Sequence, residues 1–104
     1  MNVIIPSQER VINTYGKTAQ TVIHLEEMGE LIQAISKMHR FSNGEQTEYN
    51  GAGYKAYCNL VEEIGDVLIS IRQIQEIYNI TDAELQQTIN AKCKRMEDRI
   101  DAAE

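Results

Sequence analysis

A chain of 104 residues supports one hydrophobic core but not two, and 42% hydrophobic with 25% charged residues is the balance of an ordinary globular fold. Ten lysines and arginines against sixteen acids leave a net charge of −6, without the broad basic face that a nucleic-acid grip requires. The opening MNVIIPSQER turns polar too early for a signal peptide and no apolar run approaches membrane length, so the expectation is a cytoplasmic single domain over residues 1–104, with neither nucleic acid nor membrane as partner.

In chain order, Ser7 is placed to cap a short helix over 7–15, with Glu9 in the first turn to suit the helix dipole and Gly16 to break it. From Lys17 to His39 the apolar residues Ala19, Val22, Ile23, Met28, Leu31, Ile32, Ile35 and Met38 recur mostly at three- and four-residue steps, which predicts a long helix. Residues 40–53, RFSNGEQTEYNGAG, lose that period and carry three glycines, so they read as a loop, long enough to suggest a lid or binding segment. A second long helix follows, with Tyr57, Leu60, Ile64, Val67, Leu68, Ile71 and Ile74 as one stripe. In NITDAEL, Thr81 and Glu84 match a capping box that opens the last helix, whose face carries Leu85, Ile89, Cys93, Met96 and Ile100. Three long helices and one short one make an all-α bundle. Cys58 and Cys93 stand far apart without metal-ligand spacing and read as buried free thiols of a reducing compartment.

Two stretches echo each other: LEEMGEL at 25–31 and VEEIGDV at 61–67. Helical residues three apart lie side by side, so Glu27 and Glu30 project from one helix, Glu63 and Asp66 from the next, and an antiparallel pair would let all four carboxylates converge. Gly29 and Gly65 occupy equivalent places, and glycine inside a helix costs roughly 1 kcal/mol against alanine, so each wants a reason: close backbone approach, or room beside the carboxylates. An acidic string on a helix is commonly a solvated face. Two copies bracketed by apolar residues favour a cation instead, because converging carboxylates must protonate, stay hydrated or bind one. An all-oxygen set suits Mg²⁺, with Mn²⁺ as a substitute; zinc and a ferritin-like di-iron pair want histidines that His24 and His39 do not supply. Magnesium usually keeps open positions for substrate phosphates. INAKCKRMEDRI adds Lys92, Arg95 and Arg99 on one helical face, flanked by Asn90 and Lys94, as candidate phosphate contacts or as simple dipole and ion-pair partners.

Glu26-Glu27-Met28-Gly29-Glu30, followed by Glu63-Ile64-Gly65-Asp66 and then NAKCKR, resembles the signature of the MazG-like all-α nucleoside triphosphate pyrophosphohydrolases, a likeness that runs from about residue 17 to residue 100. The resemblance implies a MazG-like helical bundle assembled as a homodimer or homotetramer. It implies Mg²⁺-dependent cleavage of a nucleoside triphosphate, ribo or deoxy, to the monophosphate and pyrophosphate. Carried over by position, Glu27, Glu30, Glu63 and Asp66 are the metal ligands, with Glu27 also counted among the catalytic groups. Glu26 helps orient or deprotonate the attacking water or holds a further metal, while Asn90, Lys92 and Arg95 contact the phosphates. The chain lacks the second MazG domain of the longer bacterial form, and the DVLIS around Asp66 departs from the phosphoribosyl-ATP pyrophosphohydrolases. Tyr54 and Tyr57 are candidate base stackers, Tyr57 more readily a core residue. Competing readings are a nucleotide or alarmone sensor with little turnover, and a helical adaptor whose acids are only solvated. Apolar residues such as Ile32, Ile35, Met38, Ile71, Ile74 and Ile77 exceed what one thin bundle covers, which points to a homo-oligomer.

Overall fold

The computed structural model describes residues 1–42 and 51–104. The described residues form four helices and no strand: α1 (Gln8–Tyr15), α2 (Lys17–Ser42), α3 (Ala52–Tyr78) and α4 (Asp82–Ala103). They gather into two compact units, Met1–Gln73 and Ile74–Glu104. None of these helices is long and apolar enough to cross a membrane.

In the first unit, Ser7 Oγ accepts from Arg10 N at 3.3 Å and so opens α1 as its sequence position predicts. Gly16 closes it at φ 85°, ψ 155°, a conformation closed to residues with a side chain, and its N–H donates to Ile12 O at 2.7 Å. The chain re-enters a helix immediately, and Gln20 N donates to Gly16 O at 3.1 Å. α1 lies against α2 and buries Val11. α2 and α3 are antiparallel: Gln20 meets Gln73, Glu27 meets Glu63 and Asp66, and the last turns of α2 share a cavity with the first turns of α3. The expected loop at 40–53 is therefore shorter than predicted. Helix continues through Ser42 and resumes at Ala52, because hydrogen bonding propagates past the last apolar residue of a stripe; the remainder, including any lid, lies outside the described residues.

The seam of this hairpin is not the apolar stripe. On α2 the inward row is Gln20, His24, Glu27, Leu31, Ala34 and Met38; on α3 it is Ala56, Leu60, Glu63, Val67, Ser70 and Gln73. Both rows run at three- and four-residue steps, the spacing that keeps one helical face on its neighbour. Among described residues the buried hydrophobics are only Val11, Ala34, Ala56 and Val67, while Gln20, His24, Ser70, Gln73 and Gln75 are buried beside them. The larger side chains face outward: Leu25 is 69% exposed, Ile32 68%, and Val61, Ile64 and Ile71 form an exposed row on α3. Tyr57, expected in the core, is 55% exposed, and its ring stacks on Tyr54 with centroids 6.4 Å apart at 22°. Both residues sit on the α3 face turned away from the seam. Cys58 and Cys93 are free, as expected, but exposed rather than buried: Cys58 falls outside the seam, and α4, which carries Cys93, has no buried residue.

In the second unit α3 ends in a left-handed turn. Asn79 stands at φ 55°, and Ile80 N donates back to Gln75 O at 2.8 Å, a closure that satisfies a terminal carbonyl. Asparagine tolerates a backbone that costs other L-residues roughly 1–2 kcal/mol. The buried Gln75 amide braces the turn by donating to Asp82 Oδ1 at 2.9 Å and to Ile80 O at 3.5 Å. The capping box forms as spaced: Glu84 N donates to Thr81 Oγ1 at 3.1 Å and Thr81 N to Glu84 Oε2 at 3.0 Å. α4 has no buried residue; Leu85 is half-buried, and Ile89, Met96 and Ile100 are exposed.

Candidate metal centre

Antiparallel packing sets the second acidic cluster opposite the first. One carboxylate oxygen each from Glu27, Glu63 and Asp66 lies within 4.8 Å of the other two, close enough to share one ion. Glu27 and Glu63 occupy seam positions and are half-buried, whereas Asp66 is exposed. Glu27 Oε2 and Glu63 Oε2 are buried with no hydrogen-bond partner, and no ion pair engages either residue among the described ones. Glu30 is exposed and stands outside that trio, yet it couples to it: its charge acts on Glu27 and Glu63, and its carboxyl makes a hydrogen-bond contact with Glu63. Glu26 is exposed and also acts on Glu27.

The electrostatics follow from this crowding. Partial burial, then repulsion from Asp66, Glu30, Glu63 and Glu26, pushes the Glu27 carboxyl above its ordinary value of 4.5. Glu63 rises for the same reasons, with burial first, then Glu30 and Asp66, then the contact with Glu30 and the charge of Glu62. Both groups would lose less by ionising beside a cation, and oxygen donors with no nitrogen or sulfur among them suit a hard one. Two orphaned buried oxygens facing an acidic neighbourhood fit a divalent metal ion.

Neither glycine is held by close approach. A Cβ on Gly29 or Gly65 would meet nothing within 4 Å, so alanine would fit at either and nothing in the structure explains the glycines; Gly65 borders a cavity of about 300 Å³ lined by residues 1–4.

The remaining predicted site residues are on α4, in the second unit. Asn90, Lys92 and Arg95 are exposed; Asn90 Oδ1 accepts from Gln86 Nε2 at 2.9 Å, and the ion pair on this helix is Lys94 with Asp98 at 2.6 Å.

Two features escaped the sequence reading. Lys37, Arg40 and Lys55 rim a cavity of about 440 Å³ floored by Phe41 and Ala56. Its cations come from both sides of a helix connection, which spacing along one helix does not relate. Gln20, His24 and Gln73 form a buried polar group one turn from Glu27: Gln20 Nε2 donates to Gln73 Oε1 at 2.9 Å and lies 3.4 Å from His24 Nε2. The recurrence of Gln20, His24 and Glu27 at four- and three-residue steps was a visible signal for it.

A search of curated proteins and a search of solved structures each returned no match. The family model for the MazG nucleotide pyrophosphohydrolase domain matches residues 17–102, a span that holds both acidic stretches and the basic helix. With its doubled acidic motif brought together across one helical hairpin, the chain belongs to the MazG nucleotide pyrophosphohydrolase domain family.

Proposed function

We propose that this protein is a Mg²⁺-dependent hydrolase that converts nucleoside triphosphates, ribo or deoxy, to the monophosphate and pyrophosphate, working as a single domain. The observation that carries the reading is the meeting of Glu27, Glu63 and Asp66 oxygens from two helices, with Glu27 and Glu63 each leaving a buried oxygen unpartnered. Glu27, Glu63 and Asp66 would hold the ion, with Glu30 completing the set as it turns from Glu63. A bound Mg²⁺ or Mn²⁺ supplies a site that neutralises phosphate charge and lowers the pKa of water. Glu26, exposed beside Glu27, orients the attacking water and takes its proton. Asn90, Lys92 and Arg95 take phosphate oxygens, an assignment that rests on the family likeness of their helix, with Arg95 supplying a forked donor.

The outward apolar rows of α2 and α3 support a homodimer or homotetramer, and the exposed free thiols suit the reducing cytoplasm. Incubation of the purified protein with Mg²⁺ and a panel of canonical and modified nucleotides should release pyrophosphate. Glu30→Ala and Asp66→Ala should each reduce release by at least about tenfold, the scale of losing a metal-site group. Absence of pyrophosphate from every nucleotide, together with unchanged nucleotide affinity in both variants, would refute the reading.

A further inference from the structure

The Gln20–His24–Gln73 group points beyond the carboxylates themselves. Gln20 Nε2 carries two hydrogens: one goes to Gln73 Oε1 at 2.9 Å, and the other faces His24 Nε2 at 3.4 Å. Against a donor, His24 Nε2 must accept, so the neutral ring carries its proton on Nδ1. Burial disfavours the imidazolium and holds the His24 pKa below its ordinary value of 6.5. His24 Nδ1 is therefore a buried donor, and it has no acceptor. One helical turn along the same face, Glu27 Oε2 is a buried acceptor with no donor. Residues three apart on a helix have Cβ atoms roughly 5–6 Å apart, within the swing of a glutamate side chain. Each orphan can partner the other, and a carboxylate that accepts from His24 keeps further lone pairs for an ion.

We propose that His24 is a positioning residue, whose Nδ1–H donates to Glu27 Oε2 and fixes that carboxylate for metal binding, with Gln20, anchored on Gln73, selecting the tautomer. The proposal rests on the metal reading above for its purpose but not for its hydrogen bond. A carboxylate ligand held by a donor loses fewer rotamers when it binds an ion, and removing such outer partners typically weakens metal affinity by about 10–100-fold.

The experiment has two arms on the full chain. In the metal-free protein, long-range ¹⁵N–¹H correlation should place the His24 proton on Nδ1, and Glu27→Met should shift that resonance where Glu63→Met does not. A proton on Nε2, or a resonance indifferent to Glu27→Met, overturns the proposal. In the second arm Mn²⁺ alone is titrated calorimetrically. His24→Asn, whose amide N–H takes the place of Nδ1–H, should bind within about twofold of the unaltered chain. His24→Gln, which reaches only the Nε2 position, should bind about tenfold or more weaker. Equal losses in both variants would mean a packing role and overturn the proposal, as would no loss in either. An unaltered chain that takes up no Mn²⁺ would defeat the hydrolase reading, while the Nδ1 resonance would still decide the hydrogen bond.

Discussion

Glu27 is under opposing demands: its position buries it and its neighbours share its sign, so the metal-free fold makes its charge harder to keep than in the unfolded chain. A carboxyl whose pKa is raised on folding binds more protons folded than unfolded, so its contribution to stability is progressively lost as pH climbs above the ordinary 4.5. Glu27→Gln removes that penalty. With a chelator present it should raise the melting temperature at pH 7.5, and the gain should shrink as the pH falls towards 4.5. His24 works in the opposite sense, since its lowered pKa removes stability on acidification below 6.5, so the comparison is made in a His24→Asn background, where the imidazole is absent. A gain that grew on acidification, or none at pH 7.5, would contradict the crowding. With Mg²⁺ added the order should reverse, because a ligand that binds the folded state stabilises it by mass action.

At the scale of elements, one end of the α2–α3 seam is closed by an amide pair, Gln20 with Gln73, where leucines would be usual. Gln20→Leu leaves Gln73 Oε1 and His24 Nε2 buried without a donor, which should cost about 1–3 kcal/mol in urea unfolding. Gln20→Leu with Gln73→Leu should lose less than the two single changes added together, since an apolar pair needs no partner. Strict additivity would show that the two amides do not interact. This seam also marks the limit of what the sequence discloses. Ser7, Gly16 and the Thr81–Glu84 box could be read because a cap is a local bargain between neighbours. The acidic trio could be read because its motif occurs twice and helix geometry aligns the copies. A surplus of apolar surface, Ile71 included, could be read, but not that Ile64 is exposed while Val67 of the same stripe is buried, because periodicity finds an apolar face without saying whether it meets its own chain or another. Nor could the pairing of Gln20 with Gln73, 53 residues apart, or the inclusion of Lys55 in a cationic rim, since each depends on the register of one helix against the next.

For the whole molecule, the exposed rows bear on the proposed association of copies. Val61, Ile64 and Ile71 lie on one face of α3, and Ile32 and Ile35 are exposed on α2, apolar surface that pairing would relieve. Ile64→Lys should lower the mass seen by sedimentation velocity by at least half, as it sets a charge in that row. An unaltered mass would mean that another face holds the assembly. Pyrophosphate release by the variant then reports whether one copy is sufficient.

The small, polar interior has a practical corollary. Among the described residues the fully buried hydrophobics are Val11, Ala34, Ala56 and Val67, so much apolar surface is left that the proposed pairing of copies would bury. If copies pair as proposed, resistance to heat depends on how crowded the sample is: each tenfold dilution towards the dissociation constant should bring the melt earlier, until the melting point of the lone copy is reached.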